Sequence, residues 1–481
     1  MLPPILKNKS HAMQNAPEKY NNDPLHRKLI TIEDLKGLAA QLKVDIDAQE
    51  DVSILAQPVR AGSLLVPSSL AIHPMEGADS NADGNPGELT LRRYQRFAAG
   101  GAGLIWVEAT AVIAEGRSNP RQLWLHNSSK AGFAAMVTKI RNAAARSMGP
   151  AHKPVIVLQL THSGRYSKPS GTHHPVILQR DPYRDALKPH WPPNPDAPPA
   201  IPPDWPILTD DDLDKLVDAY VAAARIAFEV GFDAVDIKSC HGYLISELLA
   251  CHNRPGRYGG SFENRTRFLL DIIDRIHHDL GPDKTVVTRL GVYDAVPYPY
   301  GFGVDSRDYT RPDLTEPQRL IAELCRRSVP MVNITIGDPH FNPHYGRPFD
   351  KPVIGGCQSP EHPLIGAARI ISLAGRLQKA SPGIAVVGTG YSWFRTLTPG
   401  VAAAAKQKHL ASLIGVGRLA FAYPDFAKDI ISTGALDPGK VCIACSKCSQ
   451  ILIAGGMIGC AVRDGKIYGP IYDSCRKSTD R

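Results

Sequence analysis

The sequence predicts an α/β protein, a (β/α)8 TIM barrel with an N-terminal extension and a C-terminal cysteine-rich segment. Eight short aliphatic runs alternate with stretches of helical periodicity, the order expected of a barrel of β-then-α units. The runs are nearly continuous in apolar residues, as parallel strands buried on both faces should be. A doubly wound sheet is the alternative, but it usually has fewer strands. We expect the extension over 1–62, the barrel over 63–432 and the cysteine-rich segment over 433–481.

The eight predicted strands follow one another from residue 70 to residue 418. They cover 70–74, 103–112, 154–162, 234–238, 285–291, 331–337, 384–390 and 413–418. The clearest helix between them spans 210–230, where Thr209 and Asp212 make a capping-box-like start and Gly231 ends the pattern. A shorter amphipathic helix, ITIEDLKGLAAQL, is predicted before the first strand.

Two long insertions follow the third and the sixth predicted strands. Residues 189–206 are rich in proline and should be extended, and residues 338–360 form the second loop. Loops that follow barrel strands rise at the C-terminal face, where the active sites of such barrels lie. We therefore expect both insertions to border a functional site; surface decoration is the alternative.

Composition excludes several classes of protein. Hydrophobic residues make up 43% and charged residues 21%, an ordinary globular balance rather than that of a disordered chain. The 55 basic and 47 acidic residues are spread along the chain, so we expect no nucleic-acid partner. No run approaches the roughly 20 apolar residues of a membrane helix. The N-terminus lacks the apolar core of a signal peptide, so we expect a cytoplasmic protein without a membrane partner.

Glycine-rich turns follow the last two predicted strands. Their residues are Gly388, Thr389, Gly390, Gly417 and Arg418. Glycine lets backbone N–H groups approach an anion, and the loops after strands seven and eight are a recurring phosphate site in this fold. The arginine would add a charge-assisted contact. The two turns together favour a phosphate-bearing ligand, although glycines also serve tight turns.

The predicted strands and the loops beside them carry the segments HPMEG, AAGGAGL, QLTHSGR, HGYL and RYGGSFENR, together with the GTG and GVGR turns. These segments resemble the motifs of the Old Yellow Enzyme family of flavin oxidoreductases. They occur in this order on successive strands and cover roughly residues 64–430. The resemblance implies a barrel that holds FMN without a covalent bond and an enzyme that reduces activated C=C bonds.

The resemblance also implies which residues contact FMN. The two glycine turns with Arg418 would bind the phosphate, and Gln159 would hydrogen-bond the pyrimidine edge. Arg289 would lie near N1 and the C2 carbonyl, where its charge stabilises the anionic reduced flavin. Backbone contacts are implied for Pro74, Met75 and Ala109. A purely structural polar network is the alternative for Gln159 and Arg289.

Three further residues are candidates for the chemistry. Tyr243 matches the family's proton donor and His241 the residue that binds the substrate's carbonyl oxygen. Lys238 stands where the family usually has histidine, so it would bind a carboxylate or a more polarised carbonyl, or else form an ion pair. Glu76 stands where the family often has threonine or cysteine. Its carboxylate would lower the flavin potential or act as an acid or base.

The cysteine-rich segment contains Cys442, Cys445, Cys448 and Cys460 in C-x2-C-x2-C-x11-C spacing. Such spacing in a reducing compartment suits a [4Fe–4S] cluster, with zinc as the alternative. The segment resembles the region after the barrel of 2,4-dienoyl-CoA reductase and trimethylamine dehydrogenase, and its spacing is closer to that of the latter. Those enzymes continue into a nucleotide-binding domain. The sequence contains no G-x-G-x-x-G motif after a strand, so we expect no such domain here.

The sequence therefore predicts an FMN- and [4Fe–4S]-containing oxidoreductase that reduces α,β-unsaturated carbonyl compounds. Electrons would come from NAD(P)H or from a separate electron-transfer protein. One alternative is an amine or C–H dehydrogenase that passes electrons out through the cluster. Another is a non-catalytic electron-transfer subunit. The sequence leaves the substrate, the direction of electron flow and homo-oligomerisation open.

Overall fold

Eight parallel strands form a closed barrel in the computed structural model, which describes residues 29–185 and 200–479. Each strand pairs with the next along the chain, and the last pairs with the first. All eight predicted runs are strands, which confirms the predicted (β/α)8 barrel. The strands are β3 (Leu70–Ile72), β4 (Leu104–Ala111), β5 (Val155–Thr161), β6 (Ala234–Ile237), β7 (Val286–Gly291), β8 (Met331–Thr335), β9 (Ala385–Gly388) and β10 (Leu413–Val416).

A short antiparallel hairpin closes the N-terminal end of the barrel. Its strands are β1 (Val59–Ala61) and β2 (Leu64–Val66), paired from Val59↔Val66 to Ala61↔Leu64. Ala61 and Val66 pack with inward-facing strand residues such as Trp106 in a cluster inside the barrel. The predicted boundary between residues 62 and 63 falls in the turn of this hairpin, so the hairpin joins the extension to the barrel core.

Helices surround the strands, and a larger apolar core lies between the two layers. In the described part of the chain the helices are α1 (Ile32–Leu42), α2 (Glu88–Ala99), α3 (Lys130–Met148), α4 (Asp210–Glu229), α5 (Leu244–Leu249), α6 (Phe262–Leu280), α7 (Thr315–Arg326), α8 (Pro343–Gly346), α9 (Pro363–Ala380), α10 (Thr398–Gln407), α11 (Arg418–Ala422), α12 (Phe426–Thr433), α13 (Lys447–Ile453) and α14 (Gly465–Thr479). None of these helices has the length and apolar character that crossing a bilayer requires.

The predicted helix over 210–230 is α4, and its cap is the predicted one. The Thr209 hydroxyl accepts a hydrogen bond from the backbone N–H of Asp212 at 3.2 Å, and the Asp212 carboxylate accepts one from the Thr209 N–H at 3.1 Å. Gly231, just past the end, has φ +100°, which glycine adopts without steric cost. The helix predicted before the first strand is α1, with Leu35 and Leu38 buried.

The second predicted insertion lies at the C-terminal face, tied down by buried ion pairs. Arg184 pairs with Asp181 at 2.8 Å and with Asp338, the first residue of this insertion, at 3.0 Å. Of the proline-rich insertion over 189–206, residues 189–199 lie outside the described residues. The loops after β5 and β8 are therefore held together above the barrel mouth.

The cysteine-rich segment packs against the barrel beside the first strand. The N–H of Ile458 donates to the carbonyl of Gly77 at 2.7 Å, and the Asp464 carboxylate accepts from Arg92 at 2.7 Å and Arg96 at 2.5 Å on α2. These contacts dock the segment on the loop that follows β3.

A buried arginine on α2 fixes this same loop. The guanidinium of Arg93, 4% exposed, pairs with the carboxylates of Asp79 and Glu108, which are 1% and 2% exposed. Glu108 in turn accepts the N–H of Gly77 at 2.7 Å. Burial raises the pKa of Glu108 to about 7, and the charge of Arg93 opposes this rise.

We expect Arg93→Ala to lower the free energy of unfolding by about 3–5 kcal/mol, because it leaves two buried carboxylates without their cation. The loss should grow as pH rises above about 7, because Arg93 stabilises the ionised form of Glu108 and only the variant lacks that cation. Arg92→Ala is the matched control. In this variant Asp464 keeps its ion pair with Arg96, so the free energy of unfolding should fall by about 1 kcal/mol or less. Urea unfolding at two pH values measures both variants; equal losses would contradict the prediction.

Candidate active site

Side chains that follow three strands meet around Glu76 at the C-terminal end of the barrel. One oxygen of Glu76, Oε1, lies 3.4 Å from Lys238 Nζ and accepts the hydroxyl of Tyr243 at 3.3 Å. The other oxygen, Oε2, accepts the hydroxyl of Ser118 at 3.4 Å. Glu76 follows β3, and Lys238 and Tyr243 follow β6, so the barrel brings together residues 162 or more positions apart.

The ammonium group of Lys238 has two partners in this cluster. Besides the ion pair with Glu76, Nζ lies 3.7 Å from the centroid of the Tyr243 ring, a cation–π contact. The side chain of Lys238 is 4% exposed. The sequence left two alternatives for Lys238, a substrate ligand or an ion pair, and the observed geometry is that of the ion pair.

Tyr243 is held as a neutral phenol. Burial raises its pKa well above the ordinary value, and the neighbouring Glu76 carboxylate raises it further. The hydroxyl groups of Ser118 and Ser163 oppose this shift. A buried phenol that keeps its proton at neutral pH can serve as a general acid.

His241 is held as a neutral imidazole in a strained backbone. Burial, and then the charges of Arg289 and Lys238, lower its pKa well below the ordinary value. Its Nε2 lies 3.3 Å from the hydroxyl of Thr335. Its φ of +68° is left-handed, which costs a residue with a side chain about 1–2 kcal/mol. Such strain is common at functional sites, where it aims a side chain.

Gln159 and Arg289 are joined by a buried carboxylate that the sequence analysis did not single out. Asp236 accepts hydrogen bonds from Gln159 Nε2 at 2.6 Å, Trp106 Nε1 at 2.8 Å and the backbone N–H of Arg289 at 2.6 Å. Burial raises the pKa of Asp236 to about 6. The sequence signal that could have identified Asp236 is an acidic residue in the middle of a strand that is buried on both faces.

The guanidinium of Arg289 is the candidate cofactor-binding group that best fits FMN. Its residue is 7% exposed, and within residues 29–185 and 200–479 the side chain makes no hydrogen bond or ion pair. Burial lowers its pKa. A buried cation without a partner is costly, so this position suits a ligand that brings oxygen atoms or negative charge. The polar edge of a flavin ring provides both.

The two glycine turns lie side by side, as the predicted phosphate site requires. Gly388 at the end of β9 pairs with Ile414 of β10, and Gly417 and Arg418 follow β10. A Cβ on Gly417 would lie 2.7 Å from Met75 Sδ, so a larger residue there would push the Met75 side chain aside. Arg418 Nη2 donates to the carbonyl of Pro348 at 2.5 Å, while Nη1 is buried without a partner. An unpaired arginine nitrogen beside two glycine turns fits a phosphate.

The remaining predicted flavin contacts lie on the same face. Pro74 is buried and Met75 half-buried at the end of β3, and Thr389 and Gly390 continue the turn after β9. Ala109 is buried in β4, and its carbonyl accepts a hydrogen bond from Gln122 at 3.1 Å. The structure thus places these predicted contacts around one end of the barrel; their roles remain predictions.

All four cysteines of the predicted cluster line one cavity. Cys442, Cys445, Cys448 and Cys460 share it with Arg418 and Arg463. No group of three or more histidine, cysteine or acidic residues in the described chain is close enough to hold a single metal ion. Burial raises the pKa of Cys442 to about 12 and also raises that of Cys460. These thiols must lose their protons to bind a metal.

Two further residues at the barrel mouth were missed. The ring of His340, from the second insertion, stacks on Tyr166 with 3.6 Å between centroids, and Tyr166 lies 6.2 Å from Tyr243. Ser118 was missed as well. The insertion's position was predicted, but nothing in the sequence indicates which side chain of a long loop faces the site.

The fold and the geometry of the site fit a barrel enzyme with an anionic, polar cofactor above its strand ends. Residues 55–302 match the NADH:flavin oxidoreductase / NADH oxidase family, which is more than half of the chain, and the chain belongs to that family. The family implies FMN as cofactor and NAD(P)H as electron donor.

Individual proteins show the same relationship. The chain is 29% identical over 236 residues to the NADPH dehydrogenase of Clostridium acetobutylicum, covering 48% of this chain and 62% of that one. It is 28% identical over 293 residues to an NADH:flavin oxidoreductase of Gibberella zeae, covering 59% and 67%. The match thus spans less than two thirds of the Clostridium relative.

Solved structures share the fold at lower identity. A 2-naphthoyl-CoA reductase has a TM-score of 0.66 at 20% identity, covering 88% of this chain and 58% of that one. Histamine dehydrogenase from Rhizobium sp. 4-9 has a TM-score of 0.63 at 19% identity, covering 86% and 52%. The Old Yellow Enzyme homologue of Zymomonas mobilis has 0.57 at 21%, covering 80% and 94%.

We expect Arg289→Met to lower the midpoint potential of the bound flavin by about 30 mV or more, since the lost cation no longer stabilises the anionic reduced form. Arg289→Lys keeps the charge and should retain most of the wild-type potential. Spectroelectrochemical titration of the two variants and the wild type measures this. A potential that is the same in all three proteins would show that Arg289 is only structural.

Proposed function

We propose that this protein reduces the activated C=C bond of α,β-unsaturated carbonyl compounds with FMN and carries a [4Fe–4S] cluster on its four C-terminal cysteines. The observation that carries the first part is a phenol kept protonated, Tyr243, two residues along the chain from a neutral imidazole, His241, at the end of the barrel that also holds the buried cation Arg289. A reductase of this kind needs a proton donor and a carbonyl ligand on one side of the substrate.

The residues of the site have separable roles in this proposal. Bound FMN supplies the hydride. His241 donates a hydrogen bond to the substrate carbonyl oxygen, which draws electrons from the C=C bond, and Tyr243 donates a proton to the adjacent carbon. Arg289 and Gln159 bind the flavin ring. The two glycine turns with Arg418 bind its phosphate.

The shared cavity supports the cluster on the cysteines. In a [4Fe–4S] cluster each cysteine binds a different iron, so the four thiolates surround a space instead of converging on one ion. The described cysteines line such a space. Arg418 belongs both to this cavity and to the turn after β10, so the proposed cluster and the flavin phosphate would share one arginine. The electron donor would be NAD(P)H or a separate electron-transfer protein.

A dehydrogenase is the second candidate function. The cysteine spacing is closer to that of trimethylamine dehydrogenase, and histamine dehydrogenase is among the structural neighbours. In that case an amine or C–H substrate would reduce the flavin, and electrons would leave through the cluster. The direction of electron flow separates the two candidates.

Purified without oxygen, the protein is expected to contain about one FMN and about four iron and four acid-labile sulfide per chain. Cys445→Ser should remove most of the iron and leave FMN bound. Cys325→Ser, which changes an exposed thiol on α7, is the matched control and should keep both. Zinc in place of iron would contradict the cluster and leave a flavin enzyme with a structural metal.

Tyr243→Phe is expected to lower the turnover of cyclohexenone by about 100-fold or more, because the substrate loses its acid, while NADPH still reduces the flavin. The control is Tyr166→Phe, whose ring centroid lies 6.2 Å from that of Tyr243 and which should retain most of the turnover. Stopped-flow spectroscopy follows both half-reactions. If reduced wild-type enzyme leaves cyclohexenone unchanged and amines reduce its flavin, the dehydrogenase is the correct function.

A further inference from the structure

We infer that Glu76 resupplies the proton of Tyr243 after each turnover and that Lys238 holds the two groups in position. The inference rests on the proposed function, in which Tyr243 gives its proton to the substrate. Glu76 acts through Tyr243, as a positioning residue that also conducts a proton. The family resemblance offers no guide here, because both Glu76 and Lys238 depart from its usual residues.

A chain of hydrogen bonds leads from the buried phenol toward the surface. The Tyr243 hydroxyl donates to Glu76 Oε1, and Ser118 Oγ donates to the other oxygen of the same carboxylate, Oε2. Ser118 in turn accepts from Asn119 Nδ2 at 3.2 Å. Ser118 and Asn119 are half-buried residues of the loop that follows β4. The two carboxylate oxygens therefore have different partners, the acid for Oε1 and a half-buried hydroxyl for Oε2.

Exposure increases along this chain. Tyr243 is 7% exposed, whereas the side chain of Glu76 is 18% exposed. A phenol that has lost its proton in such a buried place must regain one before the next turnover, because a buried phenolate is costly. Glu76 is its hydrogen-bonded neighbour with better access to water.

Lys238 fits a positioning role because both of its contacts are internal. Its ammonium contacts the Glu76 carboxylate and the face of the Tyr243 ring. One cation therefore orients the ring and the carboxylate together, and it offsets the negative charge that forms when Tyr243 loses its proton. The sequence left open that Lys238 binds the substrate carbonyl. In this inference Lys238 is a positioning residue instead, and the carbonyl ligand is His241.

The proton balance is simple and moves no electrons. The O–H bond of Tyr243 breaks as its proton passes to the substrate carbon. The phenolate then takes a proton through Glu76, which recovers one from water through the Ser118 hydroxyl. In each turnover this hydrogen-bonded path takes up one proton from solvent. The titratable groups that interact with Glu76 are those of Lys238, Tyr243, Arg289, Glu108 and His340.

The kinetic test uses FMN-loaded Glu76→Gln enzyme with cyclohexenone. Glutamine keeps the size and a hydrogen bond but cannot carry the proton. The first turnover of pre-reduced enzyme should be little changed, because Tyr243 begins with its proton. Steady-state turnover should fall about tenfold or more, fall further as pH rises, and recover when a small weak acid is added. Glu115→Gln, which changes an exposed carboxylate on the loop that carries Ser118, is the matched control and should behave as wild type.

A second readout does not depend on turnover. In holoenzyme labelled with carbon-13 at tyrosine Cζ, the Tyr243 signal is the one absent from Tyr243→Phe. Glu76→Gln should lower the pKa of Tyr243, because the carboxylate raises it. Lys238→Met should shift the same signal and raise the pKa of Tyr243 by removing a nearby cation.

The outcomes separate this inference from the proposed function. If wild-type enzyme does not reduce cyclohexenone, or does so equally well as Tyr243→Phe, the proposed function is wrong. If Tyr243 is required but Glu76→Gln matches wild type in steady-state rate and pH profile, only the inference is overturned. An unchanged Tyr243 titration in Glu76→Gln would likewise overturn it.

Discussion

The pairing of β10 with β3 closes the barrel, and the site depends on that closure. It places the loop after the first strand against the turn after the last, so that Met75 meets Gly417 and Glu76 reaches the centre of the barrel mouth. The loop after β6 then brings Lys238 and Tyr243 within hydrogen-bonding distance of Glu76. An open sheet of the same strands would leave the first and last loops at opposite edges.

Much of this architecture could be predicted from the sequence, because its signals are local. Continuous aliphatic runs and the capping box of α4 follow from neighbours along the chain. The ends of the strands, and with them the candidate residues, follow from the fold itself. The local patterns thus located the face on which the site lies.

The contacts inside the site could not be predicted in the same way. The Asp236–Gln159 hydrogen bond, the Ser118–Glu76 hydrogen bond and the Lys238–Glu76 ion pair join side chains from different strands or the loops that follow them. Their geometry depends on register, rotamers and barrel shear, none of which leaves a periodic trace in the sequence. Lys238 illustrates the limit: the sequence allowed a substrate ligand or an ion pair, and only the folded geometry distinguishes them.

The backbone of Gly77 connects the barrel to the cysteine-rich segment. Its N–H is held by the Glu108 carboxylate from β4, and its carbonyl by the Ile458 N–H from the cysteine-rich segment. The neighbouring residue, Glu76, therefore follows a backbone that is hydrogen-bonded to β4 on one side and to the cysteine-rich segment on the other. The cysteine-rich segment is in this sense a wall of the active site as well as a carrier of thiols. Exchanging it for the tail of a relative would need a matching donor at position 458, or the active-site loop would lose its outer hydrogen bond.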